Sequence, residues 1–332
     1  MPSFEETGPR SPVNESIRVD RANPKARFFR GVRAALVIVA TFIMLIPVFV
    51  MGITAFKSRS DVVSVPPKLF FEPTLEGFVF LFTERSQYTQ AALAEARANA
   101  DELGIFDRIA LNAGQRINGP SDFSRRLLNS LIIAGGSTII SVILGLFAAY
   151  AFSRFDIPGK GDLLFFILST RMLPAVVVAV PLFLMFRQLG LHDSHAGMIL
   201  LYTVFNLSLT TWLLKGFIDE IPVEYEEAAM VDGYSRWQSF FKIVLPQATT
   251  GIAATTVFAM IFSWNEYAFA LLMTSENART APPAIATMLG RGGIEWSAIA
   301  AGTLAFLIPV IIIAFALRKH LLRGVTFGAI RQ

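Results

Sequence analysis

Six stretches of mostly apolar residues constrain this chain more than any other feature. They lie near Val32–Phe56, Leu127–Ser153, Leu163–Arg187, Ala196–Phe217, Ala248–Met273 and Trp296–Leu317. A helix rises about 1.5 Å per residue, so about 20 apolar residues cross a hydrocarbon core about 30 Å thick. The expected fold is therefore all-α and integral to a membrane, with six transmembrane helices. The composition points the same way, with 54% hydrophobic and 16% charged residues, unlike a soluble domain of this length.

The basic residues set the expected orientation. Arg10, Arg18, Arg21, Lys25, Arg27, Arg30 and Arg33 precede the first span or open it, and Arg318, Lys319, Arg323 and Arg331 follow the last. Both termini are expected in the cytoplasm, with an even number of membrane spans between them. The net charge of +4 reads as a topology signal, with contact to anionic membrane lipids and no nucleic-acid partner.

The expected organisation is a flexible basic N-terminus over 1–31, a first span over 32–56, an external segment over 57–126, a membrane core over 127–318 and a cytoplasmic tail over 319–332. The external segment is enlarged between spans one and two. Within it, Tyr88–Leu103 is rich in helix formers and precedes Gly104, so one external helix is expected. It is either a docking surface for an external partner or an elaboration without contact. In span two, Gly135, Gly136 and Gly145 predict close approach to a neighbouring helix.

The chain contains no cysteine, which excludes disulfides and thiolate metal sites. His192 and His195 are spaced for one helical face but have no third ligand nearby, so no metal site is predicted and a polar turn outside the membrane is expected.

Residues 219–247, after the fourth span, read as two short helices with an elbow. Pro222 suits a first turn, and Glu224, Glu226 and Glu227 complement the positive end of the helix dipole. Gly233 can adopt positive φ and end that helix. Ser235 and Gln238 have capping-box spacing, so a second helix is expected to run to a stop at Leu245–Pro246. This segment lies outside the bilayer yet carries Ala228, Ala229, Met230, Trp237, Phe240 and Phe241, an apolar surface that requires a cover.

Its pattern, Glu227-Ala228-Ala229, three residues, Gly233, nine residues, Ile243, one residue, Leu245-Pro246, resembles the signature of permease subunits of ATP-binding-cassette importers. At background frequencies near 7% per residue, seven such positions coincide about once in 10⁸ windows. Further residues resemble the maltose-type, carbohydrate branch of that family, namely Asn129-Ser130, Ala148 through Phe155, Trp264-Asn265-Glu266-Tyr267, and Gly324 through Ile330.

The resemblance implies that Glu227, Ala228, Ala229, Gly233, Ile243, Leu245 and Pro246 couple this chain to a separate ATPase subunit, and that Thr326 and Gly328 in the tail contact the ATPase pair. It also implies a companion permease, two ATPase subunits and a periplasmic solute-binding protein as partners, and a sugar, polyol or sugar derivative as solute. A non-carbohydrate solute is the alternative, and a secondary transporter the more distant one. The stretch Pro158-Gly159-Lys160-Gly161-Asp162 lacks the leading glycine and the Ser or Thr of a phosphate-binding loop. The chain is thus expected to be non-catalytic and to bind no cofactor, with ATP and Mg held by the partner ATPase.

Polar residues within the spans are costly unless they are paired or face water. Arg171, Asn206, Asn265 and Glu266 are candidates for the translocation pathway, or else for polar glue between helices. Arg171 lies about 12 Å and Glu266 roughly 20 to 27 Å above the inner ends of their spans, so no direct pair is expected unless a helix is broken. Pro174 is positioned to kink span three. Trp264 and Tyr267 are either interfacial anchors or sugar-stacking platforms.

Overall fold

The computed structural model describes residues 24–290 and 293–327. These residues divide into a unit ending at Val50 and a second unit from Met51 onward. The first is the body of helix Pro24–Ala55, with apolar side chains such as Leu36, Phe42, Met44 and Phe49 exposed. This helix is already under way at Pro24, inside the segment expected to be a flexible N-terminus. Residues 1–23 lie outside the described residues.

Among the described residues, four helices are long and apolar enough to cross a membrane, or up to six if each of two bent pairs counts as one span. Helices Phe123–Arg154 and His195–Asp219 form the central pair. Small and hydroxylated residues line their contact. A Cβ on Gly145 would lie 2.4 Å from Thr210 Oγ1, and that hydroxyl donates to the Ser141 carbonyl at 3.0 Å across the pair. A Cβ on Gly136 would meet Ile199 at 3.1 Å, whereas Gly135 faces open space. Of the three glycines, two therefore serve close approach.

The third expected span is not one helix. Helix Lys160–Ser169 continues as a 3₁₀ turn over Thr170–Met172, and helix Ala175–Gln188 leaves at 92°. Proline at 174 excludes helical geometry at the preceding residue, and Leu173 is accordingly extended. The kink expected from Pro174 is in fact a right-angle break. The fifth expected span, Ala248–Met273, is also interrupted, because helix Thr249–Trp264 ends at Asn265 and a new helix runs over Ala268–Met273. The last helix, Trp296–Phe327, continues through the first part of the expected tail.

The chain is mostly helical but not purely so. In the enlarged segment, strands β1 (Thr83–Gln87) and β2 (Gln115–Pro120) pair antiparallel. They enclose two helices, Gln90–Ala98 and Ile105–Asn112. Only the first was expected. Gly104 does not close it but stands at the N-cap of the second, with ordinary negative φ. The ribbon is fixed by Arg85, whose guanidinium lies 3.5 Å from the centroid of Phe80 and pairs with buried Glu295 at 2.8 Å. A small β3–β4 ribbon, Leu289–Gly290 with Gly293–Ile294, precedes the last helix.

Candidate functional site

Two sites emerge, one at the helix-elbow-helix and one where the broken helices meet. At the first, helix Glu224–Val231 ends at Gly233, whose φ is +93°. Gly233 N–H donates to the Met230 carbonyl at 3.1 Å and Tyr234 N–H to the Ala229 carbonyl at 3.0 Å. This paired arrangement is the Schellman motif, which needs a left-handed residue at the position Gly233 occupies. Ser235 and Gln238 then form the reciprocal capping box, with Ser235 N–H donating to Gln238 Oε1 at 2.7 Å and Gln238 N–H to Ser235 Oγ at 3.3 Å. The second helix opens as Arg236–Ser239 and becomes a π-helix over Phe240–Val244.

The second helix ends at Gln247, one residue past the expected stop at Leu245–Pro246, and the chain bends 73° before helix Thr249–Trp264.

What holds this elbow in place is a buried clasp that sequence reasoning missed. Glu226, next to the signature glutamate, accepts from the Tyr150 hydroxyl at 2.8 Å and is ion-paired with Arg154 Nε. The side chains of Arg154 and Glu226 are each 4% exposed. Arg154 Nη2 also donates to the carbonyls of Ile218 (3.2 Å) and Ile221 (2.9 Å), at and just beyond the end of helix His195–Asp219. Three elements are thus tied at one point. A signal was available, since Tyr150 and Arg154 are four apart on a helix and so share a face, opposite an acidic helix start. Beneath the clasp, Phe240 and Val244 pack with Ala149, Leu214, Ile218 and Ala248.

This packing divides the signature. Ala229 and Phe240 face inward, and Ile243 and Leu245 are half-buried, whereas Glu227, Ala228, Gly233 and Pro246 are exposed. Val231 (88%), Trp237 (64%) and Phe241 (51%) are exposed beside them. Thr326 falls in the last turn of helix Trp296–Phe327, and Gly328 lies outside the described residues.

The second site is a cavity of about 220 Å³ where the two helix breaks converge, lined by Arg171, Tyr202, Asn206, Phe262, Ser263 and Glu266 among others. Three of the four polar candidates meet there. Asn265 does not, because it is exposed and donates to the Ile261 carbonyl of its own helix at 2.8 Å. Glu266 accepts from Tyr202 Oη at 2.8 Å and from the N–H groups of Phe269 (2.9 Å) and Ala270 (3.0 Å), capping the helix that follows the break. Tyr202 also went unnoticed in the sequence. Asn206 is buried and donates to Ser263 Oγ at 2.6 Å, so it acts as glue between helices and as cavity wall. Arg171 lies over the Phe262 ring at 4.3 Å and pairs with no carboxylate among the described residues. Trp264 is neither anchor nor platform. It is buried, stacked on Phe306, and donates to the Phe306 carbonyl at 3.3 Å.

At the end of the helix bundle opposite the elbow, His195 Nε2 bonds Asn129 Oδ1 at 2.8 Å, and Asn129 Nδ2 donates to the carbonyls of Asn277 and Arg279. His192 packs against the Phe183 ring. Nearby, Asp193 accepts from the backbone N–H groups of Ser275, Glu276, Asn277 and Ala278 at 2.9 to 3.2 Å. Burial pushes this carboxyl up, but those four donors outweigh it and hold the group well below the usual carboxylate range. A depressed folded pKa means stability that is present above the unfolded value, near 3.9, and is lost as pH falls below it. Asp193→Asn is expected to lower the melting temperature by a few degrees near neutral pH. It should also flatten the loss of stability between about pH 5 and about pH 2. Thermal melts across that range check both.

Residues 141–327 match the family described as binding-protein-dependent transport system inner membrane component. This chain belongs to that family. It is 31% identical to the probable ABC transporter permease protein y4oR of Sinorhizobium fredii, over 88% of this chain and 92% of that protein. It is 38% identical to the trehalose transport system permease protein SugB of Mycobacterium tuberculosis, over 63% of this chain and 77% of that one. Its fold resembles a chain of a bacterial ABC transporter involved in the import of the acidic polysaccharide alginate, with a TM-score of 0.61 and 20% identity, over 90% of this chain and 99% of that one. The chain is a multi-pass membrane permease.

Proposed function

We propose that this permease forms, with a companion permease, the translocation pathway for a sugar, polyol or sugar derivative delivered by a periplasmic binding protein, and that two ATPase subunits drive it. In this reading the bent pair Lys160–Met172 and Val177–Gln188 counts as one span and helix Thr249–Trp264 as another, giving six with the four long helices, and the Lys and Arg distribution puts both termini and the elbow in the cytoplasm. The observation that carries it is the elbow itself, clamped from within by Tyr150, Arg154 and Glu226 while Ala228, Val231, Trp237 and Phe241 stand uncovered. A rigid base with an exposed apolar rim suits a groove on another protein, and Glu227 is free at its edge for a polar contact.

The chain has no phosphate-binding loop, so ATP and Mg belong to the ATPase partner, and the elbow receives a mechanical bias between inward-open and outward-open states. Reversing a two-state population from 1:99 to 99:1 takes about 5.5 kcal/mol of differential binding, which ATPase closure supplies through this contact. Arg171, Asn206 and Glu266 belong to the pathway wall, and Thr326 and Gly328 to a secondary contact with the ATPase pair. The carbohydrate class is supported by relatives such as the trehalose permease.

Purification of the membrane complex through a tag on this chain tests the coupling. The ATPase subunit co-purifies with the natural sequence and is lost with Gly233→Asp or Glu227→Lys. Its retention in both variants would show that the elbow is not the docking site.

A further inference from the structure

The cavity at the two helix breaks holds both Arg171 and Glu266, and among the described residues the Arg171 guanidinium is paired with neither that carboxylate nor any other. Arg171 Nη1 is buried without a hydrogen-bond partner. The guanidinium lies 4.3 Å from the centroid of the Phe262 ring, a cation–π contact that carries no opposite charge, and the residue lines the cavity. The carboxylate that shares the cavity is committed elsewhere, because Glu266 already holds Tyr202 and two backbone N–H groups. An unpaired guanidinium within a membrane-spanning region is costly unless it faces water or an opposite charge. Around it, Tyr202, bonded to Glu266, and Asn206, bonded to Ser263, form a polar wall, and Phe205, Phe262 and Phe269 supply apolar surface, the mixed lining that a pyranose ring, with polar rim and apolar face, requires.

We infer that Arg171 reads a negative charge on the solute, so that this cavity takes a sugar derivative carrying an oxyanion (carboxylate, sulfonate or phosphate) in preference to the neutral sugar. Arginine presents paired N–H donors that match such a group in a fork. The inference rests on the proposed function and adds the charge class of its solute.

Uptake by cells carrying the complete importer tests it, with radiolabelled glucose and trehalose as neutral probes and their 6-carboxylate, 6-sulfonate and 6-phosphate derivatives as acidic ones. The natural importer takes up at least one acidic class faster than its neutral parent, and the three derivatives identify which oxyanion it is. Arg171→Gln lowers the ratio of acidic to neutral uptake by about tenfold or more, and Arg171→Lys, which keeps a point charge without the fork, lowers it less. Uptake of neutral probes alone by the natural importer overturns the inference and leaves the carbohydrate reading standing, whereas uptake of neither class overturns both. Two further results also overturn it. One is an unchanged ratio in Arg171→Gln. The other is loss of the companion permease when Arg171→Gln is purified, which would assign the missing negative charge to that subunit.

Discussion

Glu226→Ala is expected to release the ATPase subunit from the purified complex and to destabilise this chain by about 3–5 kcal/mol. The substitution leaves the Arg154 guanidinium, 4% exposed, without its carboxylate and the Tyr150 hydroxyl without its acceptor. A buried charge stranded in this way costs far more than the pair itself contributes. The elbow loses its tie to helix Phe123–Arg154, and the rim formed by Ala228, Val231, Trp237 and Phe241 loses its fixed position. The double variant Arg154→Met with Glu226→Met removes both charges and should be more stable than either single change. Pull-down of the ATPase together with thermal melts of the complex checks both parts. Full association and an unchanged melting temperature in Glu226→Ala would mean that the clasp is dispensable.

Gly145→Leu is expected to damage the central helix pair. Even a methyl group there would sit 2.4 Å from Thr210 Oγ1 and 2.9 Å from its Cβ, so the central helix pair must move apart. Overpacking of this kind typically costs about 1–3 kcal/mol, and more where the neighbour is a whole helix. Separation also strands the Thr210 to Ser141 bond. In a chain of this size a fall of about 2–5 °C in melting temperature follows. Gly135→Leu is the control, since nothing lies within 4 Å of that position. Equal losses in the two variants would show that close packing at Gly145 is not what holds the pair.

The membrane class, the approximate place of each apolar segment and the elbow with its caps were all legible in the sequence, because each depends on local chemistry. Twenty apolar residues must be buried wherever they fold, a glycine permits positive φ whatever surrounds it, and Ser235 and Gln238 cap a helix with their own neighbours. The signature Glu227-Ala228-Ala229 could be found, but not the division of labour within it. That Glu226 faces inward and Glu227 outward depends on how helix Glu224–Val231 rotates against Tyr150 and Arg154, some seventy residues earlier.

The pathway residues show the same boundary. With their spans read as straight helices, Arg171 and Glu266 were too far apart in depth to pair directly. The tertiary structure breaks both helices, at Pro174 and at Asn265, and brings the two charges to one cavity without pairing them. The hydrophobic pattern alone assigned these segments to the membrane, because transfer into an apolar medium is summed residue by residue. Only the fold decided which polar groups find partners there, since a hydrogen bond or an ion pair needs two groups from distant parts of the chain within about 3 Å of each other.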